Sequence, residues 1–192
     1  RSGGSGPRMY VLGGYNDDYE GSSTVDVYDP RTDAWKQLSS MPTERRMHGG
    51  VALGGKIYAL GGYDGDDGTL STADVYDPQS DQWQPLADMA SAREGLAAAA
   101  AGGKIYVIGG EKRREHSMAR VEAFDPLLGA WAKVASMSVA RSYHAVAVVD
   151  GKIYVIGGYD EEPEYDEGLD SVEVYDPQAD SWQQVASMPG AR

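Results

Sequence analysis

Cysteine is absent from the sequence, and its absence excludes several kinds of chemistry at once. A chain without cysteine forms no disulfide, offers no thiolate nucleophile and supplies no cysteine ligand to zinc. Long apolar runs are also missing, because no stretch approaches the roughly 18 residues that a membrane-spanning helix needs. We therefore expect no thiol-based catalysis and no membrane partner.

Basic residues are few relative to acidic ones. The chain carries 17 lysine and arginine residues against 30 aspartate and glutamate residues, which gives a net charge of -13 at pH 7. Such a charge opposes nonspecific binding to nucleic acid and to anionic membranes. We therefore expect no nucleic-acid partner.

Glycine, in contrast, is abundant, and eight of the 25 glycines belong to a repeat. A short apolar run that ends in two glycines occurs four times. The copies are residues 8–14, 56–62, 104–110 and 152–158, and their first glycines lie at 13, 61, 109 and 157. This constant spacing of 48 residues indicates an array of supersecondary units rather than one irregular domain.

Each unit also carries an aromatic residue that is followed seven positions later by tryptophan. The pairs are Tyr28 and Trp35, Tyr76 and Trp83, Phe124 and Trp131, and Tyr175 and Trp182. Their strict period predicts a structural role between units rather than a platform for a ligand or a sugar. The fourth unit has three extra residues within 159–170, which predicts an exposed loop there.

Turn residues divide one unit, 45–92, into four candidate strands. These are residues 48–53, 56–62, 73–76 and 82–86. The alanine run 96–101 tests this interpretation, since alanine favours helix. Because the run aligns with the first strand of the other units and stops at a glycine pair, we predict a strand in a crowded position near the axis of the array.

The repeat resembles the kelch repeat. The resemblance rests on the double glycine, the spaced tyrosine and tryptophan, and an arginine that precedes the first strand, and it covers residues 7–192. It implies an all-β fold, a kelch-type β-propeller of four-stranded antiparallel blades. We predict about four blades, from units 7–44, 45–92, 93–140 and 141–192, and we interpret residues 1–6 as a flexible linker or an expression remnant.

One inner strand is expected to be missing. Good first strands occur near 48–53, 96–101 and 144–149, whereas residues 3–6 occupy the register of the remaining one and offer no apolar side chain. The chain is then a piece of a larger propeller, an engineered array, or a chain that closes with another chain. Because open strand edges can pair, we expect a homo-oligomer or a partner fragment that completes the propeller.

The repeat arginines carry the functional hypothesis. Resemblance to BTB-kelch ubiquitin-ligase adaptors implies that this arginine, the residue after it and the residue after the double glycine line one mouth of the channel and bind acidic peptides. Arginine suits this role, because its planar guanidinium pairs bidentately with a carboxylate. The alternative is that the arginines bridge neighbouring blades and bind nothing. The positions concerned are Arg45, Arg93, Arg141, Arg46, Glu94, Ser142, Tyr15, Tyr63, Glu111 and Tyr159.

We therefore predict a noncatalytic module that binds a protein or an acidic peptide at an arginine-lined mouth. Two alternatives stay open: a kelch-type enzyme acting on a sugar, and a designed or truncated scaffold without a natural ligand. No catalytic motif is recognised, and no cofactor is expected. His48 and His144 share one register but lack an evident third ligand, so no metal site is predicted. The basic cluster 112–114 is interpreted as a solvated loop.

Overall fold

The computed structural model describes residues 6–15, 20–65, 68–113, 115–160 and 168–192. Every regular element in these residues is a β-strand. In this part of the chain no helix has the length and apolar character needed to cross a membrane. The all-β class predicted from the repeat is confirmed.

The described residues form seventeen strands. They are β1 (Met9–Leu12), β2 (Val25–Asp29), β3 (Ala34–Gln37), β4 (Gly49–Leu53), β5 (Lys56–Leu60), β6 (Tyr63–Asp64), β7 (Gly68–Thr69), β8 (Ala73–Asp77), β9 (Gln82–Pro85), β10 (Ala97–Ala101), β11 (Lys104–Ile108), β12 (Val121–Asp125), β13 (Ala130–Lys133), β14 (Ala145–Val149), β15 (Lys152–Ile156), β16 (Val172–Asp176) and β17 (Ser181–Val185). The alanine run is strand β10, as predicted.

The strands form four antiparallel sheets that follow one another along the chain. Their strand orders are β1-β2-β3, β4-β5-β8-β9, β10-β11-β12-β13 and β14-β15-β16-β17, and β6 pairs with β7 in a loop of the second unit. We call these sheets blades 1 to 4. Blades 2 to 4 have an inner strand, and blade 1 has none among the described residues, in agreement with the sequence pattern.

The inner strands lie close together, and their small residues allow this. A Cβ atom added to Gly49 of β4 would lie 3.0 Å from the Cβ atom of Ala98 in β10. Ala99 and Ala101 of β10 are buried. Because protein interiors are close-packed, larger side chains at these positions would clash. Crowding therefore explains why this strand consists of alanines, although helix propensity alone would predict a helix there.

The seven-residue interval between each aromatic residue and its tryptophan follows from strand pairing. Tyr76 of β8 lies directly opposite Trp83 of β9, and their ring centroids are 5.1 Å apart. A tight turn at residues 78–81 reverses the chain between them. The interval therefore reports the register of the two outer strands.

In blades 2 and 4 an aspartate of the outer turn also binds the preceding blade. The Tyr76 hydroxyl donates to Asp81 Oδ1 over 2.6 Å, and the same oxygen accepts the Ser39 N–H of blade 1 over 3.1 Å. Asp81 holds a left-handed φ of 55°, which aspartate tolerates better than most residues. Blade 3 has Phe124 and Gly129 at these two positions, so donor and acceptor are replaced together.

The tryptophans of blades 2 to 4 contact the preceding blade, as their period predicts. Trp35 of blade 1 has no preceding blade in the structure and is 57% exposed. The tryptophans therefore belong to the junctions between blades. Three indole N–H groups donate to carbonyl oxygens one blade back at 2.8–2.9 Å: Trp83 to Ser39, Trp131 to Ala87, and Trp182 to Ala135.

Replacing Trp83 by alanine is expected to lower the free energy of unfolding by about 3 kcal/mol, because a packed indole and its hydrogen bond to blade 1 are lost. Trp35→Ala is the matched control, since Trp35 makes the same ring contact within its blade but touches no preceding blade. Its loss is expected to stay below about 1 kcal/mol. Urea unfolding followed by circular dichroism measures both, and equal losses would contradict a role in the junction.

Candidate functional site

The first repeat arginine lies inside its own blade. Arg45 is completely buried, with an exposed fraction of 0%. Its Nη1 atom donates to the carbonyl oxygens of Gly61 and Thr72 at 2.8 and 3.1 Å. Its Nη2 atom donates to the Thr72 hydroxyl at 2.9 Å and forms an ion pair with Asp74. The side chain is thus enclosed by groups of the second unit.

The other two repeat arginines have the same arrangement. Arg93 pairs with Glu122 and Arg141 with Glu173, and both arginines are as buried as Arg45. Burial lowers the pKa of each guanidinium, and the carboxylate partner opposes this shift. A buried charge is tolerated when it is paired and hydrogen-bonded. The prediction that these three arginines contact a partner is therefore wrong, because they brace the blades from within.

The main chain of each repeat arginine lies against the preceding blade. Arg93 O accepts the Gly62 N–H at 2.8 Å, and Arg93 N donates to Leu70 O at 3.0 Å. A Cβ atom on Gly61 would lie 2.7 Å from Arg93 O, and Gly61 has a φ of 58°. Glycine accepts both this close approach and this conformation. The double glycine of one unit is thus the contact surface for the arginine of the next.

The residue after each repeat arginine pairs with the residue after the double glycine of its own unit. These backbone bridges join Arg46 to Tyr63, Glu94 to Glu111, and Ser142 to Tyr159. The N–H and C=O groups bond reciprocally at 2.8–3.1 Å. The structure therefore brings these predicted site residues to one end of the blades. We call this end the rim, and it comprises residues 15, 46–47, 63, 94–95, 111, 113, 142–143 and 159.

Two guanidinium groups lie over one tyrosine ring at the rim. Arg46 and Arg113 place their guanidinium carbons 4.5 and 4.7 Å from the centroid of Tyr63, within the range of cation–π attraction. Arg46 is also 5.1 Å from the centroid of Tyr15. The Arg113 N–H donates to Thr69 Oγ1 at 3.1 Å. Arg113 is exposed but anchored, which corrects its interpretation as part of a simply solvated loop.

Three predicted contact residues are too buried to meet a partner. Tyr63, Glu94 and Ser142 are buried, and the Ser142 hydroxyl accepts a hydrogen bond from Ser117 at 3.0 Å. Their inclusion as surface contacts is a second error of the sequence hypothesis. The side chains of Glu94 and Ser142 lie against the preceding unit, and the ring of Tyr63 lies beneath Arg46 and Arg113. The accessible predicted residues are Tyr15, Arg46, Glu111 and Tyr159.

Sequence reasoning missed a rim residue, Tyr143. It lies two positions after a repeat arginine, with a left-handed φ of 52°, where the other units have Met47 and Gly95. Its N–H donates to Gly95 O at 2.7 Å, its ring covers Gly95, and its hydroxyl lies 3.2 Å from Met47 Sδ and 3.3 Å from Glu111 Oε1. Tyr143 is 41% exposed. The sequence does contain a signal for this residue: Tyr143 is a large aromatic residue at a repeat position where the third unit has glycine.

Comparison with known families identifies the repeat. Residues 3–138 match the KLHDC2/KLHL20/DRC7 kelch-repeats domain, and residues 90–192 match the FKB95 kelch-repeats domain. The chain belongs to the kelch-repeat family. The kelch-type propeller predicted from the double glycines, tyrosines and tryptophans is thereby confirmed.

Individual kelch proteins match shorter parts of the chain. Kelch-like protein 21 from human and from rat is 40% identical over 48 residues, which are 25% of this chain and 8% of that protein. The match therefore spans a small part of the length of these curated relatives. The solved structure of YjhT superimposes with a TM-score of 0.81 over 95% of this chain and 63% of that chain, at 16% identity. At that identity the likeness shows the fold alone.

The kelch rim has an acidic side next to the cationic one. Burial raises the pKa of Glu94, and the nearby Glu111 raises it further, whereas Thr69 and Arg46 lower it. Burial and the same two carboxylates raise the pKa of the Tyr143 hydroxyl, so this group remains protonated and can donate to Glu111. The rim is therefore a patterned surface in which cations lie near Tyr15 and carboxylates lie beneath Tyr143.

The first-strand histidines of the kelch units are structural. A Cβ atom added to Gly109 would lie 2.8 Å from His144 Cε1, and one added to Gly158 would lie 2.7 Å from His144 Cβ. Neither ring nitrogen of His144 has a hydrogen-bond partner. Burial lowers the pKa of His144 to about 3 and that of His48 to about 4. Within the described ranges no group of three histidine or acidic side chains is placed to hold a metal ion.

Breaking one buried ion pair is expected to destabilise the kelch array strongly. Arg45→Met leaves Asp74 buried without its guanidinium, and we expect a loss of about 3–5 kcal/mol in the free energy of unfolding. Adding Asp74→Leu to this variant should restore part of the loss. The control is Arg31→Met, which removes an exposed ion pair to Asp29 and should cost less than about 1 kcal/mol. Chemical denaturation measures both free energies of unfolding. Equal, small losses for Arg45→Met and Arg31→Met would contradict the structural role, and Arg45 would again be a candidate contact for a ligand.

Acid should weaken the kelch fold through His144. The folded-state pKa lies below the unfolded value of about 6.5, so the contribution of neutral His144 is fully present above that pH. It is lost as the pH falls toward 3, at up to about 1.4 kcal/mol per pH unit. His144→Leu, which installs the residue type of Leu96 in the third unit, should flatten the pH dependence of the unfolding free energy. Parallel curves for variant and parent between pH 6 and pH 4 would contradict this assignment.

Proposed function

We propose that the rim is a protein-binding face and that the chain is a noncatalytic interaction module. The supporting observation is the group of accessible aromatic and guanidinium side chains formed by Tyr15, Tyr143, Arg46 and Arg113. Tyrosine and arginine are among the residues that dominate binding energy in protein interfaces. Membership of the kelch-repeat family supports a protein partner.

Rigidity favours this face as a binding surface. The backbone bridges that end at the rim fix the main chain on both sides of the group, and the hydrogen bonds from Tyr143 to Gly95 and from Gly95 to Met47 link three units. A surface that is ordered before binding loses less conformational freedom when a ligand arrives.

The ligand proposed is an acidic peptide. One of its carboxylates would pair with the exposed Arg113 guanidinium, and its apolar groups would lie against Tyr15 and Tyr143. Glu111 would repel a second carboxylate and so orient the peptide. The net charge of -13 repels an acidic peptide at long range, so electrostatic steering would not speed its association. The affinity would therefore come from the contacts made at the rim.

A second proposed contact joins chains to each other. The absence of an inner strand from blade 1 among the described residues motivated the expectation of a homo-oligomer or a completing fragment. This contact concerns the end blades rather than the rim, and the two proposals are independent.

Replacing Arg113 by glutamine is expected to weaken acidic-peptide binding about tenfold, which is the size of one charge-assisted hydrogen bond. The probe is a fluorescein-labelled peptide selected on the chain from a library whose members each contain two aspartate or glutamate residues. Anisotropy titration gives the affinity. Arg31→Gln is the control, because Arg31 lies in the turn after β2, at the opposite end of the strands from the rim.

Tyr143→Gly provides a second probe that should not disturb folding, because the third unit already has glycine at this register. Weaker binding with an unchanged melting temperature is expected. If the selected peptides bind both rim variants as tightly as the parent, or if the library yields no binder, the rim is not the proposed face.

A further inference from the structure

Four carboxylates are buried among the residues that the structure describes, and three of them are neutralised. Asp74, Glu122 and Glu173 each form an ion pair with a repeat arginine. The fourth is Glu94, which is 5% exposed and forms no ion pair with a described residue. A buried charge without a counter-charge is costly. Glu94 therefore departs from a rule that the rest of the array follows, and such departures are expected at functional sites.

Glu111 brings a second negative charge to the same place. Its backbone bridges that of Glu94 directly, and the reciprocal hydrogen bonds are 2.8 Å long. Residues bridged in this way carry their side chains on one side of the two strands, where like charges destabilise each other. The equivalent bridges of the second and fourth units contain no carboxylate. The third unit thus has a like-charge pair that no other unit has at the rim.

The hydrogen bonds at this pair leave acceptor capacity unused. The Thr69 hydroxyl donates to Glu94 Oε2 over a long distance of 3.5 Å, and the Tyr143 hydroxyl lies 3.3 Å from Glu111 Oε1. Two ionised carboxylates have about eight acceptor positions between them. Glu111 is only partly buried, so a group from outside the chain can reach its carboxylate.

The group that suits this pair is a cation with hydrogen-bond donors. A metal ion would need further ligands, and within the described ranges no group of three acidic or histidine side chains is placed to hold one. A lysine ammonium has three donors and an arginine guanidinium has five. The exposed ring of Tyr143 lies beside the pair, and aromatic faces attract such cations. A basic side chain of a partner therefore fits both the charge and the unused acceptors.

The cationic side of the rim is adjacent to this pair. Thr69 Oγ1 accepts the Arg113 N–H at 3.1 Å and donates to Glu94 Oε2. One hydroxyl group thus joins the main chain of Arg113 to the buried carboxylate. A peptide that places a carboxylate on Arg113 would have its neighbouring residues within reach of Glu111, which lies two positions earlier in the sequence.

We propose that the rim recognises a segment of mixed charge, in which a lysine or arginine side chain of the partner pairs with Glu111 while the buried Glu94 supplies a second negative charge without touching the ligand. Electrostatic attraction strengthens where water is excluded, so the buried charge adds to the contact made by Glu111. The ligand then carries an acidic residue for Arg113 and a basic residue a few positions away. This inference rests on the proposed function and specifies its ligand.

Glu94→Gln tests the first premise in the absence of a ligand. Glutamine keeps an acceptor for Thr69 and removes an uncompensated buried charge, so the melting temperature at pH 8 is expected to rise by about 2 °C or more. Glu115→Gln is the control, because Glu115 is exposed and pairs with Lys112, and it should leave the melting temperature unchanged. An unchanged or lower melting temperature for Glu94→Gln overturns the proposal.

Peptide binding tests the contact itself. The probes are fluorescein-labelled peptides selected on the chain from a library whose members each contain two aspartate or glutamate residues, with every other position random. The selected peptides are expected to share a lysine or arginine at a fixed spacing from an acidic residue. Replacing it by norleucine should weaken binding to the parent about tenfold, which is the size of one charge-assisted hydrogen bond. The same replacement should not weaken binding to Glu111→Gln, whereas Glu115→Gln should behave as the parent does.

The outcomes separate this proposal from the one on which it rests. Peptides that bind, lose affinity with Arg113→Gln and contain no shared basic residue leave the rim as a binding face and overturn the mixed-charge ligand. So does a norleucine replacement that weakens binding equally to the parent and to Glu111→Gln. A library that yields no binder overturns both proposals.

Discussion

A buried guanidinium at the start of each unit is the constraint on which the other features of the repeat depend. Arg93 rests its main chain on blade 2 and inserts its side chain into blade 3. Because a charge away from water must be paired, blade 3 supplies Glu122. Because the arginine main chain approaches closely, blade 2 supplies Gly61 and Gly62. Sequence landmarks that lie far apart are parts of one contact between neighbouring blades.

Much of the fold could be predicted from the sequence because its determinants are local and repeated. The seven-residue interval from Tyr76 to Trp83 indicates which residues lie opposite each other in the two outer strands. The alanines of β10 fit only a crowded strand once their register is compared with the other units. Blade 3 has Phe124 and Gly129 where blade 2 has Tyr76 and Asp81. The turn is kept although the hydrogen bond between these two side chains is lost, so the fold tolerates a change of sequence at this place.

The site was predicted less well, for a physical reason. An arginine that recurs in every unit suits either a surface that binds carboxylates or a buried pair, and the residue type is the same in both cases. What decides is a carboxylate 29 residues away, where Arg45 meets Asp74. The structure brings the positions next to the arginine to the rim, but how far each side chain is buried depends on contacts with other loops, which the residue type does not reveal. Tyr143 escaped notice because its role rests on a left-handed backbone and a glycine in the neighbouring unit.

The central claim is that the repeat arginines belong to the blade junctions and that ligands meet other residues. Nuclear magnetic resonance of the arginine side chains tests this most directly, by following guanidinium N–H exchange with solvent during titration with an acidic peptide. The account predicts that the signals of Arg45, Arg93 and Arg141 exchange slowly and do not move, while those of Arg46 and Arg113 shift. Fast exchange of the three repeat arginines, or shifts in their signals on peptide binding, would contradict it.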